Sequence, residues 1–462
     1  MADDRLATLD LPEAVGPPST DNSREAVVSA TGPAGQRPTS KSGFGGHLPA
    51  LDGVRGLAIL LVLLYHFVAQ TTATNRFETA VNWLCSYGSL GVDLFFVLSG
   101  FLITGILYDS RAEPRYFSSF YMRRVLRIFP LYYGSLAVVF FVVPVIPALR
   151  GSEIAGLRDY QAWAWLYGVN VYLAIRGGWV LSYIEHFWSL AVEEHFYFVW
   201  PLVVWLLAAK RRVFLIASLA IAATSFGGRV VASLSGVSPV ATTVLTPFQL
   251  DALLLGGFFA VYLRRPGGEA AARRAIAPMA LVGGALLLLQ FSLHHFTDFG
   301  LPMRSLRGGA FHVLLAAVLL QALGAPVSSV SSRCFRSRPM IALGKYSYGL
   351  YVYHHFLSYY FTKHGTEFAL ASAVGSHTVA VAIQALGGMA ASMAIAWLSY
   401  EFFEKYFLQL KHRWPSSREA LDSPSSESVP EQVGAAFGVG ERPAQRPHAG
   451  DRRCRRGSRD RR

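Results

Sequence analysis

The chain has 462 residues, of which 52% are hydrophobic and only 15% are charged. Soluble domains carry about 25% charged residues, so this composition excludes an ordinary soluble domain and favours a membrane protein. The formal net charge is +13, but the positive charge falls between apolar runs and in a tail, so we expect no nucleic-acid partner. The three cysteines have neither metal-binding nor disulfide spacing, and we expect no metal.

The two ends of the chain differ from its middle. Residues 1–47 are rich in Ala, Gly, Pro, Ser and Thr and lack the apolar core of a signal peptide, so we predict that they are disordered. We place a transmembrane domain at 48–410. Residues 411–462 are predicted to be a disordered basic tail, for which adhesion to anionic lipid is the simplest interpretation.

Ten long apolar segments occupy the middle of the chain. Because every backbone polar group in lipid must be bonded within its own segment, they predict an all-α polytopic membrane protein with about ten transmembrane helices. The ten-residue alternation that is typical of a membrane β-barrel is not visible. The segments lie at about 53–70, 89–108, 129–149, 187–208, 213–233, 244–263, 277–293, 309–328, 344–363 and 378–398.

A weaker aromatic segment at 160–175 decides the predicted topology. If it does not cross, ten crossings place every Arg/Lys cluster and both termini on the cytoplasmic side. We therefore predict that residues 150–186 form an extracytoplasmic loop with an interfacial or re-entrant helix. The clusters lie at 111–127, 210–212, 264–274, 333–338 and 405–413.

The first apolar segment carries Arg55 at its entrance and His66 deep inside. Eleven residues correspond to about three helical turns and a rise of about 16 Å, so both side chains lie on one face of a helix. With the topology above, Arg55 is near the cytoplasmic surface and His66 near mid-bilayer, where ionisable groups usually mark a functional site. A buried histidine and a snorkelling arginine is the structural alternative.

Two further motifs place charge beside apolar segments. Arg123, Arg124 and Arg127 precede the third segment, where they act either as a topology determinant or as a phosphate clamp. Glu193 and Glu194 lie inside the fourth segment, where the alternatives are an interior ion pair and an acid/base or histidine-orienting role.

Other polar residues stand in apolar runs and are candidates for substrate or structural roles. Ser99 belongs to a small-residue pair that favours close helix approach. Asp251 and His354, each taken alone, are more simply buried polar contacts, and Asp93 lies near the outer end of its segment. The set comprises Asp93, Ser99, Trp188, Asp251 and His354.

Taken in order, these motifs resemble the membrane-bound acyltransferase family 3, which comprises integral-membrane O-acyltransferases of bacterial polysaccharides and related glycosides. The resemblance covers roughly residues 48–408. Besides the Arg55/His66 spacing, it rests on Gly-Val-Asp-Leu-Phe-Phe-Val-Leu-Ser-Gly-Phe at 91–101, Arg-Arg-x-x-Arg-Ile-x-Pro at 123–130, Trp-Ser-Leu-Ala-Val-Glu-Glu-His-Phe-Tyr at 188–197, and Ser-Tyr-Gly-Leu-Tyr-Val-Tyr-His at 347–354.

The resemblance implies transfer of an acyl group, often acetyl, from cytoplasmic acyl-coenzyme A to a carbohydrate hydroxyl. It implies that His66 and Arg55 are the family's essential pair, that Arg124 and Arg127 are its cytoplasmic arginine pair, and that Glu193 is the glutamate of its Trp-Ser-Leu motif. Some members carry an additional extracytoplasmic esterase-like domain, and we expect none in these 462 residues.

The sequence departs from the family pattern at three places. The family often has Arg-x-Asp before the helix that carries Asp251, and here the first position is Gln249. It often has Pro two residues after the histidine that matches His354, and here that residue is Phe356. It often has Glu-x-Pro after the last helix, where this chain reads Glu-Lys-Tyr at 404–406.

The expected chemistry therefore has acyl-coenzyme A docked by its phosphates on Arg123, Arg124 and Arg127, with His66 acting as a base or as an acyl carrier. A proton-coupled transporter is the rival from another class, because intramembrane His, Glu and Arg suit a proton relay equally well. A catalytically inactive scaffold in a polysaccharide assembly complex is a third alternative.

Overall fold

The structure is a computed structural model, and it describes residues 48–146, 156–296, 300–326 and 328–414. Residues 1–47 and 415–462, which hold nearly all of the two segments predicted to be disordered, lie outside the described residues. The described residues are helical and contain no β-strand, which confirms the all-α prediction.

Eighteen α-helices carry the labels used below. They are α1 Pro49–Leu64, α2 Arg76–Ser86, α3 Leu90–Ser110, α4 Tyr116–Ala137, α5 Gln161–Trp165, α6 Val169–Arg176, α7 Trp188–Leu207, α8 Arg211–Leu234, α9 Pro239–Val244, α10 Leu250–Tyr262, α11 Gly268–Phe296, α12 Gly300–Gly324, α13 Val330–Phe335, α14 Arg338–Lys345, α15 Ser347–His364, α16 Thr366–Val374, α17 His377–Ser399 and α18 Lys405–Gln409.

Eight helical stretches in the described part of the chain are long and apolar enough to cross a membrane, which confirms a polytopic protein. The other two predicted crossings correspond to α10 and α15. Helix α10 has 13 residues and spans about 20 Å, short of the bilayer core, whereas α15 has 18 residues but is rich in His and Tyr. Ten crossings and cytoplasmic termini therefore remain predictions.

The segment that was predicted not to cross contains only short helices. Helix α5 has 5 residues and α6 has 8, so neither can span a bilayer. Two stretches assigned to loops between crossings are partly helical, since α2 and α16 lie within 71–88 and 364–377. Helix α2 is capped by Asn75, whose side chain accepts a hydrogen bond from the Glu78 amide at 3.0 Å.

Small residues let the helices that carry the polar motifs pack almost backbone to backbone. A Cβ added to Gly100 of α3 would lie 1.8 Å from the Leu253 carbonyl oxygen of α10, and one added to Gly256 would lie 1.9 Å from the Val97 oxygen. The prediction of close helix approach at 99–100 is therefore confirmed. Helix α1 is held similarly, since a Cβ on Gly53 would lie 1.8 Å from the Phe335 oxygen.

Helix α1 sets the positions of the two predicted functional groups. It runs from Pro49 to Leu64 and continues as one π-helical turn, Tyr65–Ala69. Arg55 lies six residues after its start and His66 three residues before the end of that turn. His66 is therefore close to the far end of this helical stretch, which ends at Ala69. Its predicted depth near mid-bilayer stays a prediction.

Candidate active site

A cavity of about 160 Å³ lies between α1, α3, α4, α7 and α15. Three guanidinium groups enter it, and we call it the guanidinium cavity. Two glutamates from α7 and the Ser99 hydroxyl from α3 line it as well. The charged and hydroxyl-bearing residues that line it are Arg55, Ser99, Arg124, Arg127, Ser189, Glu193, Glu194, Tyr197, Ser347, Tyr348 and Tyr351.

The arginines of this cavity are held from α1 and α4. Arg55 forms an ion pair with Asp52, at 2.7 Å between Nη1 and Oδ1, and its side chain remains 25% exposed. The Arg124 guanidinium lies 5.8 Å from the ring centres of both Phe120 and Tyr197. Its Nε atom is buried and has no hydrogen-bond partner among the described residues. The aromatic rings therefore hold this cation without using up its donors.

Arg123 does not join the other arginines. Its Nη1 donates to the Trp414 carbonyl oxygen at 3.2 Å, and Arg123 lines neither cavity described here. On a helix Arg127 lies between Arg123 and Arg124 in angle, at roughly 40° from the first and 60° from the second. The cavity lies on the side of α4 that carries Arg124 and Arg127. Of the three arginines predicted to bind phosphate, only these two line it, and Arg55 is the third guanidinium there.

Glu193 and Glu194 both belong to the guanidinium cavity. Neither has a guanidinium within 4 Å in the described part of the chain, so the predicted interior ion pair is not formed. The Glu194 Oε1 atom is buried without a hydrogen-bond partner among the described residues. A role for Glu193 in orienting His66 has no contact to support it, because His66 lines a different cavity.

A second cavity, of about 640 Å³, lies next to the first, and we call it the histidine cavity. Val92 and Tyr351 line both cavities, so the two adjoin at these side chains. Trp179 and Trp188 form part of its wall, with ring centres 6.4 Å apart. Its ionisable lining residues are Tyr65, His66, Asp93, Glu185, His186, Arg229, Arg307, His312, Tyr351 and His355.

Four imidazoles cluster at one end of the histidine cavity. The His66 ring centre lies 4.8 Å from that of His354 and 5.1 Å from that of His355, and His186 lies 4.6 Å from His355. His66 Nδ1 is 3.0 Å from the Val62 carbonyl oxygen and 3.3 Å from His354 Nε2. His354 is fully buried, so it reaches the cavity only through His66.

Three of these rings come close enough together to suit a metal ion. One ligand nitrogen from each of His66, His354 and His355 lies within 4.8 Å of the others. Imidazole nitrogens are common ligands of zinc and related transition metals. The 3.3 Å separation of His66 Nδ1 and His354 Nε2 is also that of a hydrogen bond, and the two arrangements use the same lone pair on His354.

A buried charge network forms the opposite wall of the histidine cavity. Arg229 Nη2 donates to Asp251 Oδ2 at 2.6 Å, and His312 Nδ1 lies 2.9 Å from the same oxygen. His312 Nε2 faces Asp93 Oδ1 at 3.5 Å. Helices α3, α8, α10 and α12 are thereby connected through charged groups. The network accounts for Asp93 and Asp251 and gives both a structural contact.

The residues predicted from the sequence to carry chemistry do not include Arg229, His312, His186 or His355. Arg229 and His312 each stand in an apolar helix, and an isolated ionisable residue in such a helix is a usable signal. The guanidinium that pairs with Asp251 belongs to Arg229 of α8, and not to the position of Gln249. Gln249 instead donates from Nε2 to the Thr243 carbonyl oxygen at 2.5 Å.

The structure therefore separates the predicted pair on α1. Arg55 lines the guanidinium cavity and His66 lines the histidine cavity. Ser99 lies in the first cavity, with its hydroxyl oxygen 2.5 Å from that of Tyr197, whereas Asp93 and Trp188 lie in the second. The arrangement offers a cationic recess on one side and an imidazole cluster on the other.

Comparison with known proteins identifies the family of this chain. The family described as "Acyltransferase domain" matches residues 48–401. The chain is 28% identical over 370 residues to "Peptidoglycan O-acetyltransferase OatA" of Listeria monocytogenes. The aligned region covers 78% of this chain and 55% of that protein. It is 29% identical over 324 residues to "Putative peptidoglycan O-acetyltransferase YrhL" of Bacillus subtilis, covering 67% of this chain and 48% of that protein.

A third relative is "O-acetyltransferase OatA" of Staphylococcus aureus, which is 27% identical over 321 residues, covering 67% of this chain and 50% of the relative. The chain thus spans about half the length of the curated relatives it matches. No solved structure matches it. Since the family match extends over most of the chain and includes both cavities, the protein belongs to membrane-bound acyltransferase family 3.

Proposed function

We propose that this protein transfers an acyl group, acetyl in the simplest case, from cytoplasmic acyl-coenzyme A to a hydroxyl of a cell-envelope carbohydrate. Family membership supports acyl transfer. Two of the relatives are named as peptidoglycan O-acetyltransferases, one of them as putative, so we propose a peptidoglycan glycan as the acceptor.

One observation carries the proposal. A cavity with three guanidinium groups and a cavity lined by the half-buried His66 imidazole adjoin at Val92 and Tyr351. Arg55 and His66 mark the two cavities along α1, separated by a rise of about 16 Å. An acyltransferase that works across a membrane needs this order of a donor site followed by a site where the acceptor hydroxyl is activated.

The guanidinium cavity suits the donor. Guanidinium groups bind phosphate oxygens through paired N–H donors, and Arg124 keeps donors that no described residue uses. Coenzyme A would bind its phosphates at Arg55, Arg124 and Arg127 and extend its pantetheine arm past Ser99. The predicted topology places this cavity on the cytoplasmic side, where coenzyme A is available.

The histidine cavity suits the acceptor. Trp179 and Trp188 present aromatic faces in it, and Glu185 adds a polar group. A sugar combines an apolar face with several hydroxyls, and pockets with aromatic walls and a few polar groups match that pattern. The acceptor hydroxyl would then lie beside His66, at the end of the cavity where the acyl group arrives.

The reaction follows from these positions. His66 takes the proton of the acceptor hydroxyl while the acceptor oxygen bonds to the thioester carbonyl carbon. The carbon–sulfur bond then breaks, and the coenzyme A thiolate receives the proton from His66. In the alternative route His66 Nε2 first bonds to the thioester carbonyl carbon as the carbon–sulfur bond breaks. The acceptor oxygen then bonds to the same carbon, the bond to Nε2 breaks, and the hydroxyl proton passes to the coenzyme A thiolate. Both routes return His66 to its starting state.

The His66→Ala variant tests this proposal. Loss of the imidazole is expected to lower ester formation by about 100-fold or more, while the protein still inserts in the membrane, because general bases contribute about 10²–10⁴-fold. The measurement is base-labile acetate on cell-envelope glycans, determined by mass spectrometry with wild-type or variant chain as the only copy. Near-normal ester content in the variant would remove His66 from the mechanism.

Arg124→Ala tests the donor site separately. We expect coenzyme A to raise the melting temperature of the wild-type protein but not that of the variant, because a phosphate-binding guanidinium is lost. Arg123→Ala is the matched control. This substitution removes the same charge from the same helix, but Arg123 lies outside the cavity. Equal loss of protection in both variants would contradict a site specific to Arg124.

The Asp93–His312–Asp251–Arg229 network favours one other function, a proton-coupled transporter. A transporter would accumulate a solute in proteoliposomes under a pH gradient and would not consume acyl-coenzyme A. Thiol release from acetyl-coenzyme A that depends on an added glycan acceptor would support the acyltransferase, whereas solute uptake without thiol release would support the transporter.

A further inference from the structure

The hydrogen bonds around His354 fix the proton positions in the imidazole cluster. His354 Nδ1 lies 3.0 Å from the Leu350 carbonyl oxygen and 2.8 Å from that of Tyr351. Carbonyl oxygens only accept hydrogen bonds, so Nδ1 carries the proton. In the neutral ring, Nε2 of His354 therefore keeps a lone pair, and this nitrogen faces His66.

The same reasoning applies to His66. Its Nδ1 lies 3.0 Å from the Val62 oxygen and 3.3 Å from His354 Nε2, and both of these atoms are acceptors. The proton of His66 is therefore on Nδ1, shared between the two acceptors. The lone pair is on Nε2, and His66 is a lining residue of the histidine cavity, where a base must meet the acceptor hydroxyl.

We infer that His354 is a positioning residue that holds His66 with its basic Nε2 available to the acceptor, an inference that rests on the proposed function. His354 accepts from His66 Nδ1 and is itself anchored by two carbonyls one helical turn earlier in α15. When His66 Nε2 takes the acceptor proton, the resulting cation donates from Nδ1 to a neutral imidazole. Hydrogen bonds from a charged donor are stronger than those between neutral groups, so His354 stabilises the charged intermediate.

A neutral partner suits this location. His354 is fully buried between α15 and its neighbours, where an unpaired carboxylate would be costly to hold. A backbone–imidazole–imidazole chain supplies a directed acceptor without burying a permanent charge. His355 does not share this role, because its Nε2 donates to the Ser182 carbonyl oxygen at 3.1 Å and its Nδ1 has no partner among the described residues.

His354→Gln and His354→Asn form a matched pair of variants for the test. The Gln amide oxygen reaches the position of the His354 Nε2 and can accept from His66, whereas the Asn amide reaches only the position of Nδ1. Asn thus keeps the donation to the two carbonyls and loses the contact with His66. A residue needed only for the packing and hydrogen bonding of α15 would be replaced by Asn at least as well as by Gln.

The experiment uses the full chain in lipid nanodiscs with acetyl-coenzyme A and a soluble peptidoglycan oligosaccharide. We expect His354→Asn to lower kcat by about 100-fold and His354→Gln by about 10-fold, with KM for acetyl-coenzyme A within about twofold of wild type. Coenzyme A should protect all the His354 variants against heat, which shows that the donor cavity is folded.

Three outcomes overturn the inference. If His354→Asn is as active as His354→Gln, the contact with His66 does not matter and the residue is structural. If a chelator removes wild-type activity and zinc restores it, His66, His354 and His355 bind a metal ion, and the hydrogen-bonded chain is wrong. If the wild-type chain forms no ester with these substrates, the proposed function fails as well, and this result is distinct from an active wild type with two equal variants.

Discussion

At the scale of single residues, the arrangement of charge inside the apolar helices is the main finding. Arg229 and Asp251 form an ion pair in which each side chain is only 5% exposed. His312 and Asp93 extend the pair toward the histidine cavity. Buried charges are tolerated only when they are paired and hydrogen-bonded, so each member depends on the others.

The variant Arg229→Met tests this dependence. It removes the cation and leaves Asp251 buried with His312 as its remaining partner, so the protein should lose about 3 kcal/mol of stability. The double variant Arg229→Met/Asp251→Asn should recover part of that loss, because it also removes the buried carboxylate that has lost its guanidinium partner. Melting temperatures of the two variants in detergent provide the comparison. A double variant less stable than Arg229→Met would show that Asp251 has a stabilising role beyond its pairing with Arg229.

At the scale of the helices, small residues decide which segments approach most closely. Helices α3 and α10 meet at Gly100 and Gly256, each facing a carbonyl oxygen of the other helix. This contact brings the Ser99 side of α3 and the Asp251 end of α10 into fixed positions in the two cavities. Without a hydrophobic driving force between helices in lipid, such packing is what holds them together.

Gly256→Ala should therefore disturb both cavities. The added methyl would lie 1.9 Å from the Val97 carbonyl oxygen, and since backbone must shift to admit it, we expect a loss of about 1–3 kcal/mol. Gly387→Ala in α17 is the matched control, because nothing lies within 4 Å of its added methyl. Alanine is the better helix former, so the control should be neutral or slightly more stable. Equal destabilisation of the two variants would contradict close packing at Gly256.

At the scale of the whole molecule, the predicted topology assigns each of the two cavities to one side of the membrane. The cationic cavity lies toward the start of α1 and the imidazole cluster toward its end. Arg/Lys clusters predict that the start of α1 is cytoplasmic. Donor and acceptor would then be drawn from opposite sides of the membrane and meet where Val92 and Tyr351 separate the cavities.

Cysteine labelling checks this topology. In a chain whose three native cysteines are replaced by serine, Ser235→Cys should react with a membrane-impermeant maleimide added to intact cells, because it precedes α9 on the predicted outer side. Lys210→Cys, between α7 and α8, should react only after the cells are opened. Both positions are exposed, so access to the protein surface is comparable. The reverse labelling pattern would invert the predicted orientation.

The sequence by itself determined the fold class and the family, because apolar length, loop charge and short motifs are properties of neighbouring residues. It also placed Arg55 and His66 on one helix. It identified Arg124, Arg127 and Glu193 as ionisable residues that are costly on a lipid-facing surface. The sequence predicted a crossing at about 244–263, but helix α10 in that segment is only 13 residues long, which is short for a transmembrane helix.

Only the tertiary structure decided which of these residues meet. Arg55 and His66 share a helical face but line different cavities, because the 11 residues between them correspond to a rise of about 16 Å along the helix. The guanidinium that pairs with Asp251 belongs to Arg229, which comes from another helix. The partner of His66 lies 288 residues away, on α15. Such pairings are set by helix packing, which depends on contacts between segments that are distant in the sequence, and no local pattern records them.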